Sequence, residues 1–222
     1  MQYHWLNKQN NDKLVIFFAG WSFDYKPFEF LACEDFDVLM MYDYNIYPCP
    51  LSEGEFANLC AGYKKTYLVA WSMGVFVAYQ LRNELPKFTK KIAINGTLLP
   101  VDDEYGIPLK PFILTLRHAR KGLEGKFYQN VFDNSEEFER YLQTPVERSI
   151  ENREDELKSL YDKIKLVPKD YEDFYDKAFV SENDKIIPPK NQLNFWKDKA
   201  EKLASGHFPF FNFKSWNEII CK

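Results

Sequence analysis

With 222 residues, 45% of them hydrophobic and 18% aromatic, the chain carries enough apolar mass for one substantial packed core, which argues against disorder and against two full domains. A formal net charge of −4 and a pI near 5.5 give no whole-chain reason to bind nucleic acid. Four cysteines, Cys33, Cys49, Cys60 and Cys221, lie far apart without a C-x-x-C pair, so neither a zinc site nor a dense disulfide framework is expected, and a reduced compartment fits.

The opening residues, Met1 to Lys8, lack the charged-then-apolar run of a signal peptide. No apolar stretch approaches the roughly 18 residues needed to cross a bilayer. The expectation is a cytoplasmic protein without membrane contact. Leu14 to Ala19 is a continuous apolar run closed by Gly20, the pattern of a strand buried on both faces. It leads into the loop Gly20-Trp21-Ser22-Phe23-Asp24. Further short, β-rich runs follow at Phe36–Tyr42, Thr66–Ala70, Lys91–Asn95 and Lys177–Val180.

Helical periodicity separates several of these runs, notably from Met73 to Leu85, where Val75, Phe76, Ala78, Tyr79 and Leu81 recur at helix-compatible spacings. Alternation of strand and helix predicts an α/β fold with a mainly parallel central sheet flanked by helices. Residues of about 100–170 break the rhythm with charged helical patterns and read as a helical cap insertion over the sheet's edge, within one domain spanning 1–222. After it come a strand at Phe179, an amphipathic helix around Asn191 to Leu203, the segment Ser205-Gly206-His207-Phe208-Pro209, and a last short helix over Phe213 to Ile220.

Chemistry concentrates at Ala70-Trp71-Ser72-Met73-Gly74. A nucleophilic serine must be lifted clear of the sheet on a sharp strand-to-helix turn, with very small residues two before and two after. Ala70 departs from the G-x-S-x-G pattern by one methyl group. The other reading of Ser72 is a strand-ending serine that caps the next helix. A serine hydroxyl also needs a base. Of the three histidines, His4 precedes the first strong strand, His118 suits a solvated helix face in the insertion, and His207 follows late in a loop able to overhang the sheet.

Asp184, in a polar turn after the Phe179 strand, is the leading acid to orient His207; Glu182, Asp102 and Asp103 are alternatives. The order Ser72, Asp184, His207 is that of nucleophile, acid and base in the α/β-hydrolase fold. Backbone N–H groups of Met73 and Trp21 are the expected oxyanion donors, and the Trp21 indole suits either a pocket wall or the core. No metal cluster, phosphate-binding loop or dinucleotide fingerprint is evident, so no cofactor is implied and water is the second substrate.

Together, Ala19-Gly20-Trp21-Ser22, Tyr42-Asp43-Tyr44, Trp71-Ser72-Met73-Gly74, Asp184 to Pro188 and Gly206-His207-Phe208-Pro209 resemble an α/β-hydrolase, and more narrowly the BioG type of pimeloyl-acyl-carrier-protein methyl ester esterase. That resemblance implies removal of the methyl ester that disguises a growing pimeloyl chain, ending its extension for biotin synthesis. It implies Ser72 as nucleophile, His207 as base, Asp184 as orienting acid, and an acyl carrier protein as the substrate's bearer. The basic cluster Arg117, His118, Arg120, Lys121 and Lys126, with Arg117, Arg120 and Lys121 at its head, suits an acidic carrier domain or simply a solvated face. A general small-molecule esterase or thioesterase, and a noncatalytic hydrolase-like binding protein, are the competing readings.

Overall fold

The computed structural model describes residues 1–46 and 51–222; Cys49 lies outside the described residues. Seven strands make up the sheet: β1 (Gln2–Asn7), β2 (Lys13–Phe18), β3 (Phe36–Tyr42), β4 (Lys65–Trp71), β5 (Lys90–Ile94), β6 (Lys177–Ser181) and β7 (Ala200–Leu203). Their spatial order is β1-β3-β2-β4-β5-β6-β7, with β1 antiparallel to β3 and every other pairing parallel. The central strands form because their side chains are apolar on both faces: Leu14 to Phe18, Val38 to Met41 and Leu68 to Ala70 are all fully buried. The outermost strands, β1 and β7, mix polar with apolar residues, as suits an edge.

The helices are α1 (Glu53–Ala61), α2 (Met73–Gln80), α3 (Leu109–Arg117), α4 (Ala119–Glu124), α5 (Phe127–Val131), α6 (Ser135–Tyr141), α7 (Ile150–Ile164), α8 (Pro189–Trp196) and α9 (Trp216–Cys221). Helix α2 reads Met-Gly-Val-Phe-Val-Ala-Tyr-Gln and is apolar all round, so it sits buried against β2 and β4 rather than on the surface. Five helices, α3 to α7, lie between β5 and β6. Helix α7 starts at Ser149, whose hydroxyl accepts the Asn152 N–H at 3.2 Å, and it buries Arg153, Glu156, Leu157 and Leu160, one face at i, i+3, i+4 and i+7.

Three expectations are corrected. The amphipathic helix drawn from Asn191 to Leu203 ends at Trp196, because Lys197 takes a left-handed φ of 50°, and Ala200–Leu203 instead pairs with β6 as an edge strand. The helix from Met73 stops at Gln80 rather than Leu85, and the last helix starts at Trp216 after a 3-10 turn over Pro209–Asn212.

Because the parallel strands share a direction, the loops after β2, β4, β5, β6 and β7 emerge at one edge of the sheet, on either side of the point where strand order reverses between β2 and β4. Beneath that edge an aromatic cluster sets the loops on a rigid floor. Phe17 lies 5.0 Å from both Phe28 and Trp216, and Trp71 lies 5.5 Å from Phe208.

Candidate active site

Ser72 sits between β4 and α2 with φ 56° and ψ −126°, a left-handed conformation that costs a non-glycine residue about 1–3 kcal/mol. The surroundings enforce it. Ser72 N–H donates to the Ile94 carbonyl at 2.9 Å, and the Val75 N–H donates to the Ser72 carbonyl at 3.1 Å. A methyl group at Gly74 would lie 2.3 Å from the Phe18 carbonyl oxygen, so that position must be glycine for the turn to close this tightly, and one at Gly20 would lie 3.0 Å from the Ser72 Cβ, a contact that would press on the serine. Ala70 is buried in register with Phe18 and fits with its single methyl.

The loops after β6 and β7 complete the constellation. His207 Nε2 lies 2.9 Å from Ser72 Oγ, and its Nδ1 lies 2.8 Å from Asp184 Oδ2. Asp184 Oδ1 accepts the N–H groups of Ile186 and Ile187 at 2.8 and 2.9 Å, and Oδ2 also accepts Gln192 Nε2 at 2.8 Å. All three residues of this chain are buried. Since a carboxylate can only accept, Nδ1 carries the proton toward Asp184, which leaves the Nε2 lone pair for the serine hydroxyl.

The alternative acids stand elsewhere. Asp102 is held by Lys169 at 2.6 Å, Asp103 caps the Leu109 N–H, and Glu182 is exposed beside Lys202. His4 stacks on Tyr25 at 3.7 Å in β1, and His118 is exposed between α3 and α4.

Several supporting groups escaped the sequence reading. The His207 carbonyl accepts both Trp71 Nε1 at 2.8 Å and Asn95 Nδ2 at 2.9 Å, while Asn95 Oδ1 accepts the Ser181 N–H at 2.7 Å. On the other flank, Trp21 donates its indole N–H to the Arg153 carbonyl at 2.7 Å, and Ser22 N–H donates to Glu156 Oε2 at 3.0 Å. Glu156 also accepts the Tyr44 N–H at 2.9 Å and pairs with Arg148 at 2.9 Å. Burial pushes the Glu156 carboxyl above its usual range, with Arg148 and the two backbone N–H groups pulling against it.

Ser72 and His207 open on a small space walled by Trp21, Phe23, Trp71, Met73, Ile107 and Phe127. It adjoins a cavity of about 680 Å³, which shares the walls Trp21, Met73, Ile107, Phe127 and Ile186 and extends past Phe112 and Leu157. Lys121, Lys126, Lys185 and His118 also line it. Of the predicted basic cluster, then, His118, Lys121 and Lys126 border the cavity. Arg120 is instead tied to Glu151 at 2.6 Å and Glu154 at 3.3 Å, and Arg117 is exposed. A separate hollow of about 790 Å³ between Pro100, Tyr105, Tyr161 and Tyr171 shares no lining residue with the Ser72 side.

Residues 1–219 match the family described as Pimeloyl-ACP methyl esterase BioG. The chain belongs to this family. It is accordingly a carboxylic ester hydrolase with the α/β-hydrolase fold. The crystal structure of BioG from Haemophilus influenzae superimposes with a TM-score of 0.87 at 29% identity, covering 98% of this chain and 99% of that one. An esterase from Exiguobacterium antarcticum, at 15% identity and a TM-score of 0.62, covers 91% of this chain and 87% of that one and shares the fold.

Among curated relatives, a malonyl-[acyl-carrier protein] O-methyltransferase of Bacteroides fragilis (strain 638R) is 34% identical over 192 residues, which is 85% of this chain. The chain spans only 37% of that protein's length. An uncharacterized protein of H. influenzae is 30% identical over 211 residues, 94% of each chain. Among the described residues, no helix is long and apolar enough to cross a membrane.

Proposed function

We propose that this chain hydrolyses the methyl ester of pimeloyl-acyl carrier protein, in the supply of a biotin precursor, with Ser72 as nucleophile, His207 as base and Asp184 as the acid that orients it. The observation that carries the reading is the continuous hydrogen-bonded chain from Ser72 Oγ through His207 to Asp184 in a member of the BioG family. His207 Nε2 takes the Ser72 proton as Oγ attacks the ester carbonyl. The tetrahedral intermediate collapses, the C–O bond to the methoxy group breaks, and the imidazolium returns its proton to release methanol. Water, deprotonated by the same nitrogen, then attacks the acyl-serine; the free carboxylic acid leaves and Ser72 regains its proton.

Negative charge on the former carbonyl oxygen is met by the backbone N–H groups of Met73 and Trp21; among the described residues neither has an acceptor within the protein. The apolar cavity beyond Trp21 and Met73 suits the acyl chain, and Lys121, Lys126 and Lys185 beside it suit the anionic link to an acidic carrier. The direct test is hydrolysis of pimeloyl-carrier methyl ester, followed as methanol release, together with rescue of a biotin auxotroph that lacks its methyl esterase. Ser72→Ala is expected to lose both, with a fall in kcat of roughly 10⁴-fold or more and no covalent labelling by a fluorophosphonate. Labelling that persists at another residue overturns the assignment of Ser72.

A further inference from the structure

The loop that follows β2 is gripped from one side by α7. Trp21 is anchored through its indole N–H to the Arg153 carbonyl, and Ser22, at a left-handed φ of 71°, is anchored twice. Its N–H donates to Glu156 at 3.0 Å, and its hydroxyl lies 3.0 Å from the Tyr128 hydroxyl, which in turn accepts Arg153 Nη1 at 2.7 Å. Glu156 is fully buried. A carboxylate in such a place is costly, and an apolar side chain of similar size commonly serves stability as well or better. What an apolar side chain cannot do is accept two backbone N–H groups, from Ser22 and Tyr44, that point into the interior from two different loops.

We propose that Glu156 is a positioning residue of the hydrolysis: by holding the Ser22 N–H it fixes the loop that aims the Trp21 N–H at the developing oxyanion. The inference rests on the assignment of Ser72 and the Trp21 N–H given above. Arg148 completes the clamp. Its guanidinium pairs with Glu156 at 2.9 Å and with Asp43 at 3.1 Å, and donates to the Phe23 carbonyl at 3.2 Å, so the segment leading into α7 and the loop after β2 share one buried ion cluster. The Trp21 and Ser22 backbone therefore has little freedom to reorganise as charge appears on the substrate, which is the condition for strong oxyanion stabilisation.

Glu156→Gln tests this, because its amide offers one acceptor oxygen where three donors converge. Its kcat is expected to fall roughly 10–100-fold on both the carrier-borne ester and a small soluble ester, with KM within about twofold. Affinity for a trifluoromethyl ketone, whose serine adduct carries an oxyanion, is expected to fall in parallel with kcat; a merely structural role would not link the two. Tyr128→Phe, which keeps the ring and removes one hydroxyl, is the milder second variant, expected to show the same pattern at a loss of about tenfold, and it decides the matter should Glu156→Gln fail to fold.

A folded variant with kcat within about twofold of wild type, or a loss carried entirely by KM, overturns the proposal. Ser72→Ala is assayed alongside. Retained hydrolysis in that variant defeats the reading of the site itself, whereas an inactive Ser72→Ala with an unaffected Glu156→Gln defeats only the positioning role.

Discussion

Asn95 follows β5 with a φ of 44°, and its amide does two jobs at once: Nδ2 holds the His207 carbonyl and Oδ1 receives the Ser181 N–H from β6. Removing it leaves Trp71 as the remaining donor to that carbonyl and strands a buried N–H. Asn95→Ala is expected to lower stability by about 1–3 kcal/mol, as read in a urea melt. Its kcat is expected to fall roughly tenfold at nearly constant KM, because His207 drifts against Ser72 while the acyl cavity is untouched. A variant that loses stability but keeps kcat would make Asn95 a brace of the sheet and nothing more. Ser72, Asp184 and His207 stand out in the sequence because the proposed chemistry imposes residue type, chain order and small neighbours at fixed offsets. Asn95, Gln192 and Glu156 obey no such local rule. They act through contacts 86, 8 and 134 residues away in the chain, which a one-dimensional reading does not contain.

At the scale of elements, apolar runs buried on both faces announced β2 to β6, whereas β1 and β7 pair on one side only and carry Gln2, His4, Glu201 and Lys202 where a run would be. The boundary between α8 and β7 depends on one left-handed residue, Lys197, a conformation that lysine does not advertise. The turn between β1 and β2 is organised by a single carboxylate. Asp37, at the start of β3 and fully buried, accepts the N–H groups of Gln9, Asn10 and Asn11 and the Tyr63 hydroxyl.

Burial opposes the charge on Asp37, but these donors prevail and hold its carboxyl below the usual range. A folded-state value below the unfolded one means that the stabilisation is complete above about pH 4, the ordinary carboxylate value, and drains away as the pH falls through the depressed one. Asp37→Asn is therefore expected to be less stable than wild type by about 2–3 kcal/mol at pH 7, with the gap narrowing below pH 4 in urea titrations. A gap that stays constant down to pH 3 would mean the carboxylate's charge is not what orders the turn.

At the scale of the whole molecule, a net charge of −4 disfavours the approach of an acidic carrier domain, so the proposed docking calls for steering by a local patch. In the sequence, Arg117, Arg120 and Lys121 head that patch. The structure ties Arg120 to Glu151 and Glu154 on α7, so its charge is largely compensated, while Lys121 and Lys126 stand exposed beside the cavity that leads to Ser72. Reversing Lys121 and Lys126 together to glutamate is expected to cut kcat/KM for the carrier-borne ester by roughly 10–100-fold, chiefly through slower association. A small soluble ester, which has no charged domain to dock, is expected to be hydrolysed within about twofold of the wild-type rate.

Salt separates docking from damage. Raising ionic strength to about 0.5 M shortens the screening length to a few ångströms, so the wild-type rate on the carrier-borne ester is expected to fall while that of the variant, relieved of repulsion, rises toward it. Because Arg120 already spends its charge on α7, reversing it is expected to act through stability rather than through salt-sensitive association. Equal losses on both esters, or a rate that still falls with salt after the double reversal, would place the carrier's landing surface elsewhere on the chain.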